Sequence, residues 1–204
     1  MQLVPLFPLP NVVLFPDVPL PLHVFEPRYR SLVRDALGSH RSVGMALLKP
    51  GYEADYHGCP AIYPLGCVGS IVEDERLDDG RFNIVLQGRQ RFRIVRETPG
   101  GAYRQALVEP LAEMADGDAS PARLRDEVLR ALGRLAGDDA DLVLPGDVPG
   151  ATLVNALCQG LDLPAVEKLD LLGCDSVESR ARRLIELLEF HRLERGAAQP
   201  AQMN

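Results

Sequence analysis

The serines, histidines and cysteines are the residues of this chain that could carry covalent or metal chemistry. Serines stand at 31, 39, 42, 70, 120, 176 and 179, none of them inside G-x-S-x-G. The strand-to-helix elbow that exposes a hydrolase nucleophile is therefore missing, and only a triad assembled from distant residues stays open. His23, His40, His57 and His191 are scattered, with no H-E-x-x-H pair, and His191 reads as a partly buried or surface residue rather than a ligand. Cysteines 59, 67, 158 and 174 form no C-x-x-C pair and have no histidine at the spacing of a tetrahedral zinc site. They read as buried free thiols. No G-x-x-x-x-G-K-[ST] phosphate loop occurs. The expectation is a protein with no catalytic residues, no metal and no cofactor.

What remains is chemistry that holds rather than cuts. Glu26, Arg28 and Tyr29 could form an exposed polar cluster that grips a partner's main chain. The competing reading has Glu26 capping a helix and pairing with an arginine of a neighbouring strand, since negative charge is favourable at a helix start. His23, next to Phe25 and just ahead of that helix, is read first as a structural hydrogen-bonding residue and second as part of the same partner surface. Arg89, Arg91 and Arg93 share one side of a strand at about 7 Å intervals, a row that could meet an acidic peptide or RNA. The plainer reading is a solvated face. The formal charge of −7 works against nucleic acid, because phosphate must be met by clustered cations. Pro5-x-x-Pro8 has the spacing of a polyproline ligand, but Leu3, Val4, Leu6, Phe7 and Leu9 around it favour buried edge strands of a sheet.

The placement of these side chains follows from the local periodicity and turn signals of the chain. The 204 residues, 46% apolar, suffice for one large or two small domains. Prolines at 5, 8, 10, 16, 19 and 21 limit the start to short extended segments. Glu26-Pro27 opens a helix whose inner face is Tyr29, Leu32, Val33, Ala36 and Leu37, ended by Gly38. Strand-like runs follow at 43–48 and 67–72, and Asp79-Gly80 supplies a tight reversal. Beyond it Phe82, Ile84, Leu86, Gly88, Phe92 and Ile94 alternate with Asn83, Gln87, Arg89, Arg91 and Arg93, one face in and one out. Gly88 marks a bend or bulge of the kind a sheet needs to curl into a barrel. A further strand runs over 103–108.

Residues 113–119 read as a linker, and helical signals then take over. Ser120-Pro121 caps a helix with Leu124, Val128, Ala131, Leu132 and Leu135 as its stripe, and 138–149 reads as an acidic loop. Shorter helices carry Leu153, Leu157 and Leu161, then Val166, Leu169 and Leu172. The last helix opens on an Asp175/Glu178 capping box and presents Val177, Ala181, Leu184, Leu188 and His191 on one face to about Arg195. The domain reading is a β-rich subdomain over 1–112, the linker over 113–119, a helical subdomain over 120–195 and a frayed tail over 196–204.

Leu3-Val4-Pro5-Leu6-Phe7-Pro8-Leu9, Val13-Leu14-Phe15-Pro16 and Pro21-Leu22-His23-Val24-Phe25-Glu26-Pro27-Arg28-Tyr29 together resemble the start of the Lon protease N-terminal domain. So do 66–71 and 88–94, in the same order, and the helical half from Leu163-Pro164 through 180–188. The resemblance covers nearly the whole chain. It implies an α+β fold, a curled, β-barrel-like domain of PUA-like topology followed by a C-terminal helical bundle. It also implies a free-standing, non-enzymatic unit that binds unfolded or extended polypeptide, with a protease as a further partner; the cytoplasm is expected separately, because the opening has no basic n-region and prolines interrupt every apolar run. Such a unit would use a groove between the halves or an exposed strand edge. The alternative it leaves is an RNA-binding PUA-like protein working through the arginine strand. No signal peptide or membrane span is expected.

Overall fold

The computed structural model describes residues 1–99, 101–115, 121–136 and 149–197. The run of strongest alternation forms β5 (Phe82–Thr98), antiparallel to β4 (Ile62–Arg76). Between them Leu77 N donates to Arg81 O at 2.9 Å and Gly80 takes φ 80°, a backbone that glycine adopts at little cost. β1 (Gln2–Leu9), β3 (Ser42–Leu48) and β6 (Gln105–Pro110) complete a ring in the order β5-β4-β3-β1-β6, which closes because β6 also pairs with β5. β2 (Pro19–Val24) lies outside this ring, antiparallel to the first half of β5. The curl has visible causes. Pairing skips Val72 in β4 and Arg89 and Val95 in β5, and each extra residue bends its strand. The bend expected at Gly88 is the bulge at the next residue.

Val4, Leu6, Phe92, Ala106 and Val108 fill the ring, with Ile62, Val68 and Ile94 against them. Room for the Phe92 ring comes from Gly66, where a Cβ would stand 2.6 Å from Cζ. The opening prolines do not make β1 an edge strand as expected, since it lies between β3 and β6. Its pairing changes sides instead: Gln2–Pro5 face β6 and Leu6–Leu9 face β3. No residue of β1 is bridged on both sides, so the missing N–H groups of Pro5 and Pro8 break no two-sided ladder.

Helix α1 (Pro27–Leu37) starts with proline in its first turn and buries Tyr29, Leu32, Val33 and Ala36. Gly38 closes it, donating to Arg34 O at 3.2 Å. The remaining helices are α2 (Pro121–Ala136), α3 (Gly150–Gly160), α4 (Ala165–Gly173) and α5 (Val177–Ala197).

The chain divides into two compact units whose described residues fall within Met1–Ala112 and Gln159–Gly173 for one, and within Glu113–Cys158 and 174–197 for the other. The first therefore takes back α4 after the chain has left it, which a split into consecutive stretches at 113–119 cannot express. In it Arg91, expected on a solvated face, is 2% exposed. Its Nη1 donates to Leu172 O at 2.9 Å and its Nη2 to Ala112 O at 3.0 Å. Alternation marks two faces of a strand but not what covers the second, and here Leu172 of α4 and Ala112 cover it at Arg91 alone, with Arg89 and Arg93 exposed. Val166, expected in the inner stripe of α4, is 51% exposed, while Leu169, Leu171 and Leu172 are buried.

The second unit buries Leu124, Val128, Ala131 and Leu132 of α2 and Ala181, Leu184 and Leu188 of α5. Arg180 is its fully buried cation, donating to Asn155 Oδ1 at 2.7 Å and to Glu113 Oε1 at 2.9 Å. Glu113 is thus anchored rather than free, as is Met114, whose N–H reaches Asp175 O at 2.8 Å. The expected Asp175/Glu178 capping box is replaced one residue on: Ser179 N donates to Ser176 Oγ and Ser176 N to Ser179 Oγ, both at 3.1 Å. Glu178 instead pairs with Arg182 one turn along. The Ser120 cap, the linker residues 116–119, the loop at 138–148, the Leu135 side chain and the tail from 198 lie outside the described residues.

Candidate functional site

Glu26 occupies the N-cap position of α1 with extended backbone (φ −65°, ψ 136°), yet its side chain makes no cap hydrogen bond. Pro27 removes one orphan N–H, and the carboxylate turns elsewhere. Oε2 accepts from Arg28 Nε at 3.0 Å and Oε1 from the Tyr56 hydroxyl at 2.7 Å. Tyr56 follows a single 3-10 turn, Tyr52–Asp55. The Arg28 guanidinium lies over two rings, 4.7 Å from the centroid of Tyr29 and 5.2 Å from that of Tyr56, a cation–π arrangement. Tyr29 is stacked on Phe7 at 4.0 Å and donates to Pro8 O at 3.2 Å. Burial pushes its phenol up to about 12. The bond to the Glu26 carboxylate, followed by burial, raises the Tyr56 phenol as well, which keeps the proton in that bond.

Arg28 and Tyr29 open onto a cavity of about 590 Å³ whose other walls include His57, Cys59, Tyr103 and Arg104. Arg104 is held on every side: Nε and Nη2 donate to Glu97 at 2.8 and 2.7 Å, and Nη1 donates to Pro60 O at 2.6 Å. Its guanidinium pKa is raised: burial, the largest influence, pulls it down, but the bonds to Glu97 outweigh it. Tyr103 donates to Asp35 at 2.9 Å. The arrangement sets the Arg28 guanidinium beside the aromatic side chains of Tyr29 and Tyr103. Among the described residues no group of three or more His, Cys, Asp or Glu is placed to hold a metal.

A second hollow, about 440 Å³, lies on the outer face of β2, β5 and β4, bordered by Pro21, His23, Glu73, Asp74, Glu75 and Asn83. Asn83 Nδ2 donates to Glu75 at 2.7 Å, so its Oδ1, 2.8 Å from His23 Nδ1, accepts the imidazole proton. Nε2 then accepts from Arg81 Nη1 at 3.2 Å. Both ring nitrogens are engaged.

Strand addition along β2 is opposed by its own chemistry. Gly88 N donates to Val18 O and Asp17 N to Gly88 O, each at 3.0 Å, so the even residues of β5 aim their main-chain groups at β2. The unbroken register Leu20↔Leu86 and Leu22↔Ile84 turns Pro19, Pro21 and His23 outward. Two of the three lack an N–H, and the carbonyl of Pro19 already accepts from Gln159 Nε2 at 2.9 Å. The edge is blunted.

Residues 3–189 match the family described as the ATP-dependent protease La (LON) substrate-binding domain. The chain belongs to this family. It is 27% identical over 199 residues to Lon protease 2 of Myxococcus xanthus, which is 94% of this chain but 24% of that protein. It is 32% identical over 177 residues to Lon protease 2 of Syntrophobacter fumaroxidans, 82% of this chain and 22% of that one. The chain thus spans about a quarter of the length of these relatives. Among solved structures, a Lon N-terminal domain protein from Xanthomonas campestris superposes with a TM-score of 0.65 at 28% identity, covering 93% of this chain and 99% of its own. The N-terminal domain of a Mycobacterium avium complex Lon protease shares the fold, with a TM-score of 0.68 at 20% identity over 93% of this chain.

Of the residues singled out from the sequence, the structure of this Lon-family chain brings Glu26, Arg28 and Tyr29 to one place and leaves His23 at the other hollow. The arginine row is broken: Arg89 is a bulge residue, Arg91 is buried, and Arg93 is exposed in register with Glu109. A three-cation stripe for RNA is therefore not presented. Glu26 pairs with Arg28 of its own helix rather than with an arginine on a strand. Sequence reasoning missed Tyr56, Tyr103 and Arg104, which come from connections between elements and whose spacing carries no periodic signal.

Proposed function

We propose that the first unit recognises extended polypeptide segments and holds them by non-covalent contacts, without cutting them. The observation that carries this reading is the match of residues 3–189 to a substrate-binding domain. The cavity beside α1 supports it, since a concave site with aromatic walls and one guanidinium is what a peptide-sized ligand needs. In this reading Glu26, Arg28 and Tyr29 contribute to the contact surface, His23, Arg89 and Arg93 border neighbouring hollows or strands, and Arg91 acts only through the fold. A protease is the partner to which a held segment would pass. We place the protein in the cytoplasm; among the described residues no helix is long and apolar enough to cross a membrane.

The test is fluorescence anisotropy with a labelled, permanently unfolded polypeptide, run beside its folded counterpart, with mass spectrometry of the mixture and an assay of nucleotide hydrolysis. Saturable binding of the unfolded form, intact peptide and untouched nucleotide are expected. No preference for the unfolded form, or new peptide termini, would sink the reading.

A further inference from the structure

We propose that the cavity beside the first turn of α1 takes a carboxylate carried on an extended polypeptide, gripped end-on by the Arg28 guanidinium. The inference rests on the polypeptide-binding reading and names the chemistry of its contact. Two cations line this cavity, Arg28 and Arg104, and each has one acid beside it, Glu26 and Glu97 respectively. Arg104 contributes little, because Glu97 and the Pro60 carbonyl occupy its Nε, Nη1 and Nη2. Arg28 differs. Its Nε is tied to Glu26 at 3.0 Å, and Glu26 in turn accepts from Tyr56 at 2.7 Å. The two tyrosine rings lie 4.7 and 5.2 Å from the Arg28 guanidinium carbon. The side chain is thus held by Glu26 and by Tyr56, with which it also has a hydrogen-bond interaction, and a planar guanidinium so placed matches a carboxylate in two-point contact. The hollow beside His23 is bordered by Glu73, Asp74 and Glu75, so the same ligand is repelled there.

A carboxylate on a polypeptide has two sources, the chain end or an acidic side chain, and the experiment separates them. One labelled apolar decapeptide is prepared with a free C-terminal carboxylate, as its amide, and as an amide ending in aspartate. Against the unmodified protein, at least one carboxylate form should bind about tenfold tighter than the plain amide, and the tighter of the two identifies the source. Arg28→Gln should erase that preference, Arg28→Lys should restore only part of it, and Arg89→Gln should leave it intact. Equal binding of all three peptides overturns the inference while leaving polypeptide recognition standing. So does a preference that survives Arg28→Gln, or full affinity in Arg28→Lys. If no peptide binds, recognition itself fails. The comparison of peptide forms needs no variant, so a poorly folded substitution does not blunt the test.

Discussion

Arg91 Nη1 and the Leu172 carbonyl oxygen lie 2.9 Å apart across 81 positions of sequence. With the second bond, from Nη2 to Ala112 O at 3.0 Å, one buried guanidinium ties the last turn of α4 and the end of the first chain stretch to β5.

Arg91→Met keeps the length of the side chain and removes both donors, leaving two carbonyls without that partner. The expected loss is about 2–5 kcal/mol, read from chemical denaturation, with amides of α4 losing hydrogen-exchange protection before those of β4 and β5. Unchanged protection in α4 would show that Arg91 does not anchor it.

Gly88 and Gly133 should answer opposite ways to the same substitution. A Cβ at Gly88 would stand 1.9 Å from the carbonyl oxygen of Phe15, a main-chain atom that cannot swing aside, whereas at Gly133 in α2 nothing lies within 4 Å. Gly88→Ala should cost about 2–4 kcal/mol. Gly133→Ala should gain about 0.5–1 kcal/mol through helix propensity. Denaturant midpoints decide both.

Tyr29 predicts how stability falls in alkali. Its folded phenol is held near 12 against an ordinary 10.0, chiefly by burial. Below pH 10 both the folded and the unfolded phenol keep the proton and the contribution is complete. Above it the unfolded chain ionises first, and up to ~2 kcal/mol drains away as pH climbs towards 12. Tyr29→Phe should flatten that decline between pH 10 and 12. Equal slopes in both proteins would show that the phenol is not held above its ordinary value.

Pro21 predicts association behaviour. It sits on the outward row of β2 opposite Val85, so Pro21→Val would restore an N–H beside that of His23 and a flatter edge. Concentration-dependent self-association by sedimentation is expected, with the fold's stability changed by less than about 1 kcal/mol. A variant that stays as monodisperse as its parent would show that proline is not what blunts this edge.

Sequence alone determined much of this protein because the relevant signals are local. Even positions 82 to 88 could only be one face of a strand, Asp79-Gly80 a reversal, and Glu26-Pro27 a helix start, since each follows from backbone sterics within a few residues. The opening motifs pointed to the right family for the same reason: they record short-range constraints in order. Which face of β5 meets solvent, whether β1 is an edge, where α4 returns, and which partner Glu26 chooses were decided only in three dimensions. Period two marks both faces of a strand but cannot say that a helix some eighty residues later will cover Arg91 on one of them. The cavity shows the same limit. Arg28 and Tyr29 were legible beside a helix start, while Cys59 and Arg104 reach it from connections whose course depends on ring closure, a global condition that no window of neighbouring residues contains.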